Sequence, residues 1–282
     1  MDRKKALILI NNSAGTGKGF DDVFDVVHLL AGKGYEPVLY PIVPGTKLTS
    51  EKLIEEYEGL TDMILCIGGD GTLNHVMNSV MNMKSSEKPI ISYIPSGSTN
   101  DFAKCLGIPD TRTKAIRTAI NGSPFSYDVG RLNEHYFNYV AAFGGFAEIS
   151  YETDQNLKNV IGYAAYVINA IINLPKSIGY AHTVNINADG DSWSGEYVFG
   201  AVCNSISVGG MKLFENADVE FDDGLMELML IQSPKNLSEL NVILSALATG
   251  SIDNPYISHR QVKKVTISSE SDISWTVDGE NG

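Results

Sequence analysis

Residues 63–74, MILCIGGDGTLN, decide the fold. Residues 63–67 are uniformly apolar, glycines follow at Gly68, Gly69 and Gly71, and a helical pattern opens near Leu73. A strand that leaves through a glycine-rich turn into a helix can bind phosphate. Glycine lets the backbone approach the anion closely, and the helix N-terminus aims N–H groups at it. Asp70 stands inside that loop, where a carboxylate repels phosphate unless a divalent cation lies between them. It therefore points to Mg2+, bound directly or through water. On spacing alone, an ordinary glycine turn with an aspartate N-cap competes with this reading.

Working outward, residues 6–10, 38–40 and 90–94 are further apolar runs. Residues 22–31, 50–60 and 73–83 carry apolar positions three or four apart, with Gly32 and Gly34 as a stop. Strands that are apolar throughout are expected to be covered by helices on both faces. The expectation is an open, mostly parallel α/β domain over residues 1–127. After about Asp128 the runs shorten and alternate, at 183–188, 197–203, 225–231, 262–267 and 273–277, with Gly, Asn and Asp between them. This predicts a second, β-rich domain over 128–282, antiparallel and sandwich-like, with helices near 158–174 and 237–249. Ligands of open α/β sheets bind beyond the carboxyl ends of the strands, so the active site is expected in the cleft between the two domains.

Two more strand-exit loops complement the first: NNSAGTGKG at 11–19 and PSGSTND at 95–101. The former lacks Walker A spacing, with Gly19 where a Ser or Thr would hold magnesium. Three such loops at strand ends can enclose one nucleotide. By themselves, Asn100 and Asp101 read as the N-cap of a helix through Phe102, Ala103 and Leu106.

The chain has 282 residues and a net charge of −13. That charge argues against non-specific nucleic-acid binding and against electrostatic adhesion to an anionic membrane, so docking on lipid would need a local patch or an apolar surface. Residues 160–174 are largely apolar but are interrupted by Asn169 and Asn173 and fall short of the roughly 20 residues a spanning helix needs. Their spacing suggests an amphipathic helix. The opening MDRKKALILINN has no signal-peptide core, so a cytoplasmic location is expected. Cys66, Cys105 and Cys203 lack metal-ligand spacing and read as buried free thiols.

With NNSAG at Asn11, GGDGTLN at Gly68, PSGSTNDFA at Pro95, DVGR at Asp128, YFNYVAAFG at Tyr136, EFDDGLMEL at Glu220 and DGE at Asp278, the sequence resembles the diacylglycerol kinase catalytic-domain family, in particular its stand-alone bacterial members. The resemblance covers nearly the whole chain. It implies transfer of the γ-phosphate of ATP, with Mg2+, to a lipid hydroxyl, diacylglycerol above all, by an enzyme that touches the inner membrane face peripherally. The family's ATP contacts map onto Asn11, Asn12, Ser13, Ala14, Gly15, Thr46, Gly68, Gly69, Asp70, Gly71, Thr72, Leu73, Asn74 and Ser98, and onto the neighbouring Asn100 and Asp101. Asp70, Asp101 and Asp128 resemble its carboxylate network around catalytic magnesium. Asp223, with the carbonyls of Glu220 and Leu225, resembles its structural metal site.

The family places the general base in the DGE motif, leaving Asp278 and Glu280 as candidates. On spacing alone, Asp278 and Gly279 read as a hairpin turn. Ser98 replaces the family's usual Thr and keeps the hydroxyl, while His75 stands where Glu is common and reads equally as an exposed helix residue. Relatives continue beyond DGE with strand residues that return to the first domain. The resemblance is compatible with a homodimer. Two other functions compete: an NAD kinase-like soluble-metabolite kinase, which shares GGDGT, and a non-catalytic nucleotide-binding regulator.

Overall fold

Ala6, Leu7, Ile8, Leu9 and Ile10 are each completely buried, as a strand flanked by neighbours on both edges and helices on both faces must be. They form β1 (Lys4–Ile10), which lies between β2 (Tyr35–Pro41) and β3 (Met63–Gly68), with β4 (Ile90–Pro95) beyond β3. The computed structural model describes residues 4–11, 22–43, 45–98, 100–144, 181–206, 219–250 and 254–281. All the pairings in this four-stranded sheet are parallel, in the order β2-β1-β3-β4. The helices are α1 (Val23–Gly32), α2 (Ser50–Glu56), α3 (Asp70–Met81), α4 (Asp101–Cys105) and α5 (Arg112–Asn121). Val26 and Leu30 of α1, with Ile116 and Ile120 of α5, pack on Ile8, Leu65 and Ile94 of the sheet.

The differences from the sequence reading have local causes. Residues of β2 are half-buried or exposed throughout, because β2 is an edge strand, which also accommodates Pro37. α2 stops at Glu56, four residues before the expected end, and the chain turns through Gly59 at φ +71. The helix α5 was not anticipated; Ala115, Ile116 and Ile120 form its buried stripe.

The chain divides into two compact units, Met1–Phe125 and Ser126–Gly282. In the second, β5 (Gly130–Leu132) and β6 (His135–Phe137) form a hairpin. The other strands are β7 (Val140–Gly144), β8 (His182–Ala188), β9 (Asp191–Cys203), β10 (Met226–Gln232), β11 (Ile257–Val262), β12 (Val265–Ser268), β13 (Trp275–Val277) and β14 (Glu280–Asn281). They build an eight-stranded antiparallel sheet in the order β11-β10-β9-β7-β13-β14, with β8 pairing both β9 and β12. Burial alternates strictly along β8, the mark of a strand with one face on a core. Phe143, Val184, Tyr197, Leu228, Leu230 and Val277 share that core.

The expected strand 262–267 is two strands. Asp189 accepts the N–H groups of Lys263 and Lys264, both at 2.9 Å, and turns the chain between β11 and β12. Both β13 and β14 pair within this sheet. The helix expected at 237–249 is α6 (Leu237–Thr249), capped by Asn236 and stopped by Gly250 at φ +67. The helix expected near 158–174 lies outside the described residues. Among the described residues, no helix is long and apolar enough to cross a membrane, and the three cysteines are free and buried.

Candidate active site

Around β1 and β3 the strand order runs in opposite directions, the switch point beyond whose carboxyl ends open α/β sheets bind ligands. Asn11 leaves β1 and gives its N–H to the Ile67 carbonyl at 2.9 Å, while its side-chain amide donates to Thr72 Oγ1, also at 2.9 Å. Thr72 folds over Gly68 so closely that a Cβ at Gly68 would stand 2.6 Å from the Thr72 Cβ. That requires glycine. From Gly69 the chain enters α3 with Asp70 in its first turn, where a carboxylate is favoured by the helix dipole and the first N–H groups have no intrahelical acceptor.

The third loop seats itself against the second. Ser96 N–H donates to the Gly68 carbonyl at 2.7 Å, and a Cβ on Gly97 would meet the Gly69 Cα at 2.6 Å. Asn100, at φ +49, turns its side chain back: its carbonyl oxygen accepts Gly97 N–H and its amide donates to the Gly97 carbonyl, each at 2.8 Å. Asn100 is thus a loop clasp at the start of α4, and the simple side-chain cap expected there is not formed. The clasp delivers Asp101, whose backbone N–H reaches Asp70 Oδ2 at 2.9 Å. Tyr93 OH lies 3.5 Å from both Asp70 Oδ1 and Asn100 Oδ1. Burial, and secondarily the Asp70 charge, push this phenol far above its usual range.

Several of the expected ATP contacts change character here. Leu73 is buried in the core and its N–H is spent on the Gly69 carbonyl. The Asn74 side chain accepts from Asn78 at 3.0 Å. Ser98 is exposed. The Thr46 hydroxyl is exposed and bonds the Val43 and Leu48 carbonyls at 2.8 and 3.2 Å. Asn12, Ser13, Ala14 and Gly15 lie outside the described residues. His75 is exposed and faces Glu51 at 3.6 Å, which settles it as a surface residue of α3.

In the second unit, Asp128 accepts Gly224 N–H at 2.6 Å and donates its own N–H to Phe221 at 2.7 Å. Asn204 ties the same loop, its amide donating to the Asp128 and Phe221 carbonyls at 3.0 Å. Among the described residues the buried Asn204 Oδ1 atom has no hydrogen-bond partner, the kind of acceptor that an ion or water satisfies. Glu220 and Asp223 are exposed, and Asp223 accepts Leu225 N–H at 2.9 Å.

Asp278 is 3% exposed. Its Oδ2 accepts Asn138 N–H at 2.6 Å and the Asn138 side-chain amide at 2.9 Å, and its Oδ1 accepts Tyr139 and Val140 N–H at 3.0 and 3.1 Å. Four donors thus occupy the two oxygens of this buried carboxylate. Asp278 at φ +50 and Gly279 at φ +84 form the two-residue hairpin turn that spacing alone suggests. Glu280 follows, paired with Val277.

Residues 5–132 match the family model of the diacylglycerol kinase catalytic domain, and residues 141–282 match that of the YegS C-terminal NAD kinase beta sandwich-like domain. A diacylglycerol kinase of Staphylococcus carnosus (strain TM300) is 33% identical, covering 99% of this chain and 90% of the relative. This chain belongs to the diacylglycerol kinase family. Another member, from Staphylococcus aureus (strain Newman), is 32% identical over 99% of this chain and 87% of its own. The crystal structure of a family member from Bacillus anthracis str. Sterne superposes with a TM-score of 0.70 at 21% identity, covering 99% and 90% of the two chains, and supports the fold. Tyr93, Asn138, Tyr127 and Asn204 carry much of the site's geometry and were not singled out from the sequence. Tyr127 and Asn138 flank or lie within quoted motifs, the one signal that could have drawn attention to them.

Proposed function

We propose that this chain is an ATP-dependent lipid kinase that transfers the γ-phosphate to a lipid hydroxyl, with diacylglycerol as acceptor and phosphatidic acid as product. The observation that carries the reading is the hydrogen bond from Asp101 N–H to Asp70, which ties the start of α4 to the carboxylate at a glycine-rich helix N-terminus. The N–H groups of the 69–72 turn bind the phosphates of ATP, with Asn11 bracing the turn through Thr72. Asp70 and Asp101 suit Mg2+, a hard cation usually held by one or two carboxylates with the substrate phosphates supplying further oxygens.

A Mg2+ ion held there by Asp70 and Asp101 would neutralise charge on the phosphates. Glu280 takes the proton of the lipid hydroxyl, whose oxygen attacks the γ-phosphorus as the bond to the β-phosphate oxygen breaks and ADP leaves. Asp223, with the carbonyls of Glu220 and Leu225, frames a second, structural cation site, supported by the nearby Asn204 oxygen. The catalytic cycle takes place at the cytoplasmic membrane face, where the enzyme visits its lipid.

The test is transfer of labelled γ-phosphate from ATP and magnesium to mixed-micelle lipids and to NAD, by the native chain and by Asp70→Ala. Labelled phosphatidic acid that disappears in the variant supports the reading. Label on NADP replaces it with the NAD kinase alternative, and nucleotide binding without any product leaves the regulator.

A further inference from the structure

We propose that Asp278 is a positioning residue, whose carboxylate clamps the 138–140 backbone so that the Asp278–Gly279 turn presents Glu280 in one register. This inference rests on the kinase reading above and assigns the work within its DGE motif. The clamp is unusually complete: one buried carboxylate gathers three successive backbone N–H groups and one side-chain amide, and its own N–H returns to the Val140 carbonyl at 2.8 Å. Removing such an acceptor would strand several buried donors at once.

The clamped segment is itself held. Tyr127 OH donates to the Asn138 side-chain oxygen at 3.1 Å and to its carbonyl at 3.2 Å, and Asn204 N–H donates to the Tyr139 carbonyl at 3.0 Å. β13 pairs with β7 up to Val277 opposite Ala141, so the strand entering the turn is fixed in the sheet. Beyond the turn, Glu280 and Asn281 pair with Val277 and Thr276 of the same hairpin. The turn geometry therefore sets where Glu280 lies. Asp278 is a non-glycine residue at φ +50, a conformation that needs outside support, and the four donors supply it. Burial, and secondly the Asp278 carboxylate, hold the Tyr127 phenol above its usual range.

The experiment measures kcat, KM for ATP and the pH profile of kcat for the native chain, Asp278→Asn, Asn138→Ala and Glu280→Gln. Asp278→Asn is expected to lower kcat on the order of 10²-fold, the cost of a misplaced reacting group, with KM for ATP unchanged and the acidic limb of the profile retained. Asn138→Ala removes one of the four donors and should lower kcat less, again with the limb intact. Glu280→Gln should flatten the limb. If Asp278→Asn loses the limb while Glu280→Gln keeps it, Asp278 is the base and the proposal falls. Native turnover in Asp278→Asn overturns it as well. Should Asp278→Asn fail to fold, Asn138→Ala decides: unchanged kcat overturns the clamp, and a fall with the limb kept supports it. A native chain that phosphorylates nothing sinks the kinase reading itself, an outcome distinct from each of these.

Discussion

Asp101 gives its backbone N–H to the Asp70 carboxylate at 2.9 Å, joining the exits of β3 and β4 across 31 residues of sequence. An Asp70→Asn side chain keeps an oxygen to accept that N–H but loses the charge. Its stability should fall by only about 0.3–1 kcal/mol, the helix-dipole contribution of a first-turn carboxylate. Turnover should fall on the order of 10²-fold or more. Thermal unfolding and phosphate transfer measured on the same sample check the pair of outcomes, and equal turnover would remove Asp70 from the catalytic machinery.

Gly97 touches backbone, so relief there is costly. Gly97→Ala would drive a Cβ to 2.6 Å from the Gly69 Cα, and the strained contact is expected to cost about 1–3 kcal/mol and to weaken ATP binding by separating the two loops. Gly32 is the contrast. It ends α1 with nothing within 4 Å of an added Cβ, so Gly32→Ala should be neutral or stabilising by roughly 0.4–1 kcal/mol. Denaturant titrations of both variants, with nucleotide affinity, test the contrast.

Alkaline pH should destabilise the first unit. Tyr93 and Cys66 are both held protonated above their ordinary values of 10.0 and 9.0, chiefly by burial and secondly by the Asp70 charge. Above those values the unfolded chain releases protons that the folded chain keeps, so ionisation favours unfolding. The stability contributed by the neutral groups is complete below pH 9.0 and declines as the pH rises past 9.0 and 10.0. Denaturation midpoints between pH 8 and 11 should fall, and Tyr93→Phe should fall less steeply; a flat midpoint would refute the assignment.

The 220–225 loop offers a separate test of cation binding. With Mg2+ at about 100 times its dissociation constant, a site of this kind adds about 2.7 kcal/mol to stability. Chelator should lower the unfolding midpoint of the native chain and leave Asp223→Ala unchanged. Identical midpoints with and without chelator in the native chain would discard the structural site.

Much of the fold was legible in local sequence because local physics sets it. Apolar runs at β1 and β3, glycines at Gly68 and Gly69, and the alternation along β8 each follow from chain sterics and burial of one face. Edge effects escaped that logic. β2 is half-exposed and 262–267 breaks at Lys263 because pairing partners and Asp189, far away in sequence, decide both.

At the site, the strand exit, the glycine turn and the helix with Asp70 in its first turn were legible in the sequence alone, since an apolar run followed by glycines and a helical pattern marks such a junction. The division of labour within DGE was not. Asp278 and Glu280 are both carboxylates in one short motif, and only the tertiary structure shows that the first is surrounded by the N–H groups of residues 138–140, about 140 positions earlier. A carboxylate acts as a base or as an anchor according to the donors around it, and those donors are assembled by the pairing of β7 with β13, a long-range contact that no local pattern encodes.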